Sequence, residues 1–261
     1  IDDVFAQAGT SLAKSTDVKH WVGTNCMGKA SDYENGLAKA TPIYEMIDQD
    51  MSDQCMLMYS SGTTGTPKGV IITHNMVYSA PSAAARFGES TPDGVSLTNM
   101  PLFHIGALVT SAFPAMWVGG SMVIMRAFDV EETLDAINDA RHGVTTLFMV
   151  PAAFNGMRMH PKCESTDYSR ITIALTGAET VPTELVHYWM TKGLTIQEGY
   201  GMTETTGSGC LLEEKHIPQK IGSAGKCLMH TRIKIMDEQG VEIARGEKGE
   251  ICFKGACVTP G

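Results

Sequence analysis

From residue 51 to residue 212, short apolar runs alternate with stretches whose apolar positions recur at helical spacing. Cys55–Met58 and Val70–Ile72 read as strands, followed by a helix from about Asn75 to Phe87. Val130–Ala140 places Val130, Leu134 and Ile137 on one helical face, and Thr145–Val150 follows as a strand. Pro151 opens another helical segment. Ile171–Thr176 is strand-like, Val181–Met190 is a helix with Pro182 near its start, and Leu194–Gln197 is the next strand. This rhythm predicts an α/β fold, a mostly parallel sheet flanked by helices.

The pattern changes at both ends. After His216, Thr231–Met236 alternates apolar and polar residues, Asp237–Gly240 makes a turn, Val241–Ala244 returns, and Glu250–Lys254 forms another short strand. Hairpins of this kind predict the start of a small antiparallel β subdomain at the C-terminal end. The first fifty residues predict a helix over Asp2–Lys14, a short strand at Lys19–Val22, a loop over Cys26–Lys39 and a helix over Thr41–Asp50. Between Ile105 and Met125 no residue is charged, a length that could cross a bilayer. Pro114, Gly119 and Gly120 interrupt it, so a core helix turning into a buried strand at Ser121–Met125 is the reading adopted.

Candidate chemistry concentrates in YSSGTTGTPKG, Tyr59–Gly69, which joins the first two strands. Ser60, Ser61, Thr63, Thr64 and Thr66 carry hydroxyls, while Gly62, Gly65 and Gly69 let the backbone bend. Such a loop can wrap a polyphosphate with N–H and O–H donors, and Lys68 adds a compact positive charge. It is not the common nucleotide P-loop, because GxxxxGK[ST] needs glycine where Pro67 stands.

Composition narrows the picture. The 261 residues carry a net charge of −9 with no basic stripe, which argues against a nucleic-acid surface. Seven cysteines without CxxC spacing suggest neither a disulfide framework nor a zinc site. Free thiols and the lack of a secretory pattern fit a cytoplasmic setting.

The loop resembles the signature of the adenylate-forming superfamily: acyl- and aryl-CoA ligases, peptide-synthetase adenylation domains and luciferases. PLFHIGAL (Pro101–Leu108), LTGAE (Leu175–Glu179), EGYGMTE (Glu198–Glu204) and GEICFKG (Gly249–Gly255) follow in the family's order. The resemblance runs from about Met51 to the last residue and is closest to fatty-acid CoA ligases. It implies ATP-dependent activation of a carboxylic acid to acyl-AMP, then transfer to coenzyme A, with Mg²⁺ neutralising the polyphosphate.

On that resemblance, Ser60, Ser61, Gly62, Thr63, Thr64, Gly65 and Lys68 hold the ATP phosphates. Gly177, Ala178, Glu179, Glu198, Gly199 and Tyr200 surround the adenine, and Tyr200 stacks on it. Thr203 contacts the α-phosphate, and Glu204 holds the metal. His104 stands beside the reacting carboxylate, so Thr203, Glu204, His104 and Lys68 form the catalytic set. The acyl pocket draws on His104, Ile105, Gly106, Ala107, Val109, Phe148, Met149 and Gly199, whose apolar and small side chains suit an alkyl chain. Chain length is not legible, because pockets discriminate one methylene by only about 1–3 kcal/mol.

The expected layout is a partial upstream subdomain and linker at 1–50, an α/β nucleotide- and acid-binding subdomain at 51–215, and the beginning of an antiparallel β subdomain at 216–261. The family continues to a ribose-binding aspartate, a hinge and a lysine-bearing C-terminal domain. The chain is therefore expected to be the central portion of a ligase, with little activity alone. An acyl-AMP ligase, a luciferase-like oxygenase and a non-catalytic nucleotide-binding module or plain NTPase remain as alternatives. Peripheral membrane association, oligomeric state and the identity of the acid stay open.

Overall fold

The computed structural model describes residues 2, 5–24, 31–62 and 65–261. The chain divides into two compact units, residues 1–48 and 49–261. In the first, α1 spans Ala6–Ser15 and α2 spans Asp32–Lys39, where Ser31 caps the helix by accepting the Glu34 N–H. Three expectations fail in the N-terminal fifty residues. Lys19–Val22 is irregular, the stretch foreseen as a loop over Cys26–Lys39 holds α2 from Asp32 onward (residues 26–30 lie outside the described residues), and residues 40–50 hold no regular structure. Ile43, Tyr44, Met46 and Ile47 are 78–93% exposed, so the foreseen Thr41–Asp50 helix buries no apolar face. A helix that short does not hold without such burial.

The second unit begins with an antiparallel hairpin, β1 (Gln54–Ser60) and β2 (Lys68–Thr73), pairing Ser60 with Lys68 across the loop. The two strands form a sheet of their own. The strand-like runs on either side of the loop are thus not members of the parallel sheet. Thr73 then caps α3 (His74–Phe87) by accepting the Met76 N–H.

A seven-stranded sheet follows, built in chain order from β3 (Val95–Thr98), β4 (Ser121–Ile124), β5 (Thr146–Phe148), β6 (Ile173–Gly177), β7 (Ile196–Tyr200), β8 (Cys210–Leu211) and β9 (Lys226–Cys227). Its spatial order is β4-β3-β5-β6-β7-β8-β9; β4 to β7 run parallel, and β8 and β9 add on antiparallel. The mostly parallel α/β fold expected from the alternation is therefore present. Its central strand β6 is buried along its whole length, as a strand covered on both faces must be.

Between β3 and β4 the uncharged run forms a π-helix, Gly106–Ala112, and a short α4, Phe113–Val118. Gly119 ends α4 in the left-handed conformation, at φ 76°. The run is thus folded back on the sheet, and no helix among the described residues is long and apolar enough to cross a membrane. β4 is an edge strand with Ile124 58% exposed, rather than a buried one.

Side-chain alternation splits the core. Leu97, Leu147, Ala174 and Ile196 point to one face, where α5 (Val130–Asn138), α6 (Pro151–Met159) and α7 (Thr183–Thr191) cover them. Phe148, Ile173 and Leu175 point to the other, toward Ala83 of α3 and toward Leu211 and Leu228. At the C-terminal end β10 (Thr231–Met236) pairs antiparallel with β11 (Glu250–Gly255). Asp237 Oδ1 accepts the Gln239 and Val241 N–H groups to make the expected turn. The returning 241–244 stretch makes one bridge, Met236 with Glu242, and is not a strand. The left-handed Gly246, at φ 102°, then turns the chain.

Candidate functional site

At the carboxyl ends of β5, β6 and β7 lies a cavity of about 280 Å³. Open α/β sheets bind ligands at this edge, and the order of strands reverses beside it, between β3 and β5. Chain segments distant in sequence meet on its wall. The hairpin contributes Ser60, and the stretch after β3 contributes His104, Ile105 and Gly106. Phe148, Gly177 and Ala178 come from β5 and β6, and Gly199, Tyr200, Thr203 and Glu204 from β7 and the turn after it.

Close backbone approach explains two of the glycines. A Cβ on Gly177 would stand 2.5 Å from the Gly199 carbonyl oxygen, so β6 and β7 can close at the cavity only with glycine there. In the hairpin loop Gly62 has φ 63°, and a Cβ there would collide with the Thr66 carbonyl. Gly62 and Thr66 therefore lie against each other, and the Lys68 side chain runs past Gly62.

The hairpin is fastened to the turn that carries Glu204. Ser60 Oγ donates to Glu204 Oε1 at 3.5 Å. The Thr259 N–H donates to the Glu204 carbonyl at 2.8 Å, and Thr259 Oγ1 donates to the Ile71 carbonyl of β2 at 2.6 Å. Thr206, in the left-handed conformation at φ 54°, donates its hydroxyl to the Cys257 carbonyl at 2.8 Å. Residues 257–259 thus clamp β2 to the Thr203–Thr206 turn. No cation lies within ion-pair distance of the Glu204 carboxylate among the described residues.

His104 is exposed at the rim, and its Nδ1 accepts the Gly106 N–H at 3.2 Å. In the neutral ring the proton then sits on Nε2. A Cβ on Gly106 would lie 3.2 Å from the Phe148 ring, so this glycine lets the aromatic ring approach the start of the π-helix beside His104. Tyr200 stacks on Phe253 of β11, with ring centroids 5.9 Å apart and planes at 20°.

Several residues expected at the site lie elsewhere. Met149 is fully buried among the helix-side core residues, one position along β5's pleat from Phe148. Ala107 and Val109 are buried in the π-helix and do not line the cavity. Glu179 borders a separate groove with Asn155, Arg158 and Glu184. Glu198 is half-buried in β7, off the cavity wall, and burial holds its carboxyl above the ordinary value. Ser61, Gly62, Gly65 and Lys68 sit on the hairpin beside Ser60 without lining the cavity. Thr63 and Thr64 lie outside the described residues.

The wall also holds residues that pattern reading passed over: Ala84, Thr110, Leu175, Cys210, Leu211 and Leu228. A helix residue, a residue of an irregular helix and strands two residues long carry no motif. Only Leu175, inside LTGAE, was within reach of the sequence.

Fold and cavity define an α/β ligand-binding domain with its site at the carboxyl ends of parallel strands. The chain belongs to the AMP-binding enzyme family, whose model matches residues 6–261. It is 35% identical over 212 residues to a feruloyl-CoA synthase of Amycolatopsis sp, covering 81% of this chain and 43% of that protein. It is 32% identical over 254 residues to the long-chain-fatty-acid–CoA ligase FadD13 of Mycobacterium tuberculosis, covering 97% of this chain and 48% of the relative. The crystal structure of ATP-bound MatB from Rhodopseudomonas palustris superposes with a TM-score of 0.89 at 25% identity, over 100% of this chain and 50% of that one. The chain spans less than half the length of the curated relatives it matches.

Proposed function

We propose that this chain forms the nucleotide- and acid-binding part of an acid–thiol ligase that makes acyl-AMP from ATP and a carboxylic acid, then the acyl thioester of coenzyme A. The observation that carries this reading is the single cavity where Ser60, His104, Gly177–Ala178 and Tyr200–Glu204 meet.

In the first half-reaction an oxygen of the acid attacks the α-phosphorus, and the bond to the pyrophosphate oxygen breaks. In the second the thiol sulfur attacks the acyl carbon, AMP leaves and the thiol proton goes to solvent. The chain's task in the first is to hold two anions together. The hydroxyls and N–H groups of the loop and the Lys68 ammonium receive the β- and γ-phosphates, and Thr203 meets the α-phosphate. Gly177 and Ala178 leave a flat slot for the base. One face of Tyr200 is taken by Phe253, and adenine stacks on the other.

Mg²⁺ fits this donor set. Glu204 is a carboxylate with a hydroxyl and no cation for company, and there is no cluster of three or more candidate ligands among the described residues. That suits an ion bound by one carboxylate plus substrate phosphates, with its charge drawing off phosphate negative charge.

In this reading His104 donates its Nε2–H to the carboxylate at the rim. Deeper in, Ala84, Phe148, Leu175, Leu211 and Leu228 make an apolar wall, which fits an alkyl or aryl acid. The chain's similarity to both a feruloyl and a long-chain-fatty-acid ligase agrees with that breadth. Between them we favour a fatty acid on that apolar wall, with Thr110, Thr176 and Cys210 as the polar residues that also border the cavity. The test is exchange of labelled pyrophosphate into ATP, run on the protein with its flanking sequence and a panel of acids. Exchange that requires an alkanoic acid supports the reading. ATP hydrolysis without exchange points to an NTPase, and exchange without thioester formation on adding coenzyme A points to an acyl-AMP ligase.

A further inference from the structure

At the cavity wall, which Cys210 itself borders, two thiols face each other across a pair of very short strands. Cys210 in β8 is the register partner of Cys227 in β9. The neighbouring pair is hydrogen-bonded, since the Leu228 N–H donates to the Gly209 carbonyl at 2.9 Å. Alternation along an antiparallel ladder therefore makes Cys210 and Cys227 a pair without backbone bonds between them. In such pairs the Cα atoms come to about 4.5 Å and both side chains rise on the same face. That spacing falls at the short end of the roughly 4.4–6.8 Å that a disulfide spans.

Both cysteines are reduced and half-buried, within reach of a small oxidant. Burial, and after it the adjacent Cys227 thiol, push the Cys210 thiol up to about 12. The same alternation turns Leu211 and Leu228 to the opposite face, where they line the cavity. Cys210 is also the register partner of Tyr200 in β7. Whatever fixes β8 to β9 therefore fixes one wall of the cavity.

We propose that Cys210 and Cys227 are an oxidisable dithiol whose closure to a disulfide locks the β8–β9 wall of the cavity. The oxidant class is a peroxide. The Cys227 sulfur attacks one peroxide oxygen, the O–O bond breaks, and hydroxide leaves to take the thiol proton as water. The resulting sulfenic acid is attacked at sulfur by Cys210; the S–O bond breaks, and hydroxide leaves with the second proton. Two thiols lose two electrons and two protons, and the peroxide becomes two waters. A dithiol reductant reverses the change by thiol–disulfide exchange.

The experiment treats the reduced chain with hydrogen peroxide, blocks remaining thiols, and maps peptides by mass spectrometry, with the exposed Cys55 as internal monitor. A Cys210–Cys227 linked peptide that dithiothreitol removes is the expected result. Separate alkylation of both residues while Cys55 is oxidised overturns the pairing. Amide hydrogen exchange on the same samples reads the lock. Exchange over residues 209–212 and 226–228 should slow at least severalfold on oxidation, and unchanged exchange overturns that part. Cys227→Ser should fold as the parent does, give no linked peptide and show no change in exchange with peroxide. A linked peptide to another cysteine, or peroxide-slowed exchange in this variant, would assign the effect elsewhere. None of these readouts depends on nucleotide or acid binding, so the outcome stands apart from the ligase reading.

Discussion

The two faces of the parallel sheet are built to opposite specifications. On the helix side, Trp189 of α7 is fully buried and meets Phe154, Tyr168 and Tyr188 edge-to-face, at centroid distances of 5.3–5.7 Å. Leu97, Leu134, Leu147 and Met157 are equally enclosed there. On the cavity side the same strands present Phe148, Leu175, Gly177 and Gly199 to an open space. Tight packing holds one face together, while the other forgoes contacts so that a ligand can supply them. A single strand serves both, because its side chains alternate.

The sharpest way to break the comparison is to damage the packed face. Trp189→Ala leaves a void among three aromatic rings and should cost about 3–5 kcal/mol in unfolding free energy. Trp189→Phe should cost clearly less, because the indole Nε1 is buried with no hydrogen-bond partner among the described residues and its loss removes that penalty. Urea unfolding of the two variants checks the ranking, and an equal loss from both would contradict the packing account.

Gly177→Ala sits between the two faces. Its methyl meets the Gly199 carbonyl at 2.5 Å, so β6 and β7 must part at the cavity. We expect a stability loss of roughly 1–3 kcal/mol, as for overpacking elsewhere. Ligand affinity should fall as well, because the displaced backbone is the cavity floor. Isothermal titration with ATP beside a thermal melt separates the two effects; a full loss of stability with intact affinity would place the ligand elsewhere.

The hairpin beside the cavity yields the converse. Lys68 is exposed and has no ion-pair partner among the described residues, so Lys68→Ala should leave the melting temperature unchanged. Affinity for ATP should fall about tenfold or more, in line with the roughly 1.5–3 kcal/mol of a hydrogen bond to a charged group. Unchanged affinity removes the lysine from the phosphate site.

The contrast also explains what was legible in the sequence. The packed face is written in repeats: Val130, Leu134 and Ile137 at helical spacing fit α5, and the runs Thr145–Val150 and Ile171–Thr176 fit β5 and β6 to within two residues. The cavity face is written in motifs, and Ser60, His104, Gly177, Tyr200 and Glu204 could be singled out because they fall in segments that resemble the family's motifs. Features shaped by tertiary context were lost. β8 and β9 are two residues each, too short for any period, and Tyr200's partner Phe253 lies in a strand read only as a strand. β3 went unread because four residues, Val95–Thr98, alternate too briefly to stand out. The parity error at Met149 is the most instructive. Its neighbour Phe148 does line the cavity, and one step along a strand reverses the face.

The smallest expected effect concerns Glu198, on the strand both faces share. Burial raises its carboxyl above the ordinary value of 4.5 because the charged form is poorly solvated in β7. A raised folded-state value means that the native protein holds this proton more tightly than the unfolded chain does. The associated stability is complete below the unfolded value and is lost as pH rises from there through the folded one. The parent should therefore melt progressively lower across that window, while Glu198→Gln, neutral throughout, should show a flatter profile and match or exceed the parent at neutral pH. Melting curves in steps from pH 4 to pH 7 read the difference between the proteins directly, so the other carboxylates cancel. Parallel profiles would mean that the side chain is solvated in solution and that β7 carries no electrostatic strain where the packed face meets the cavity.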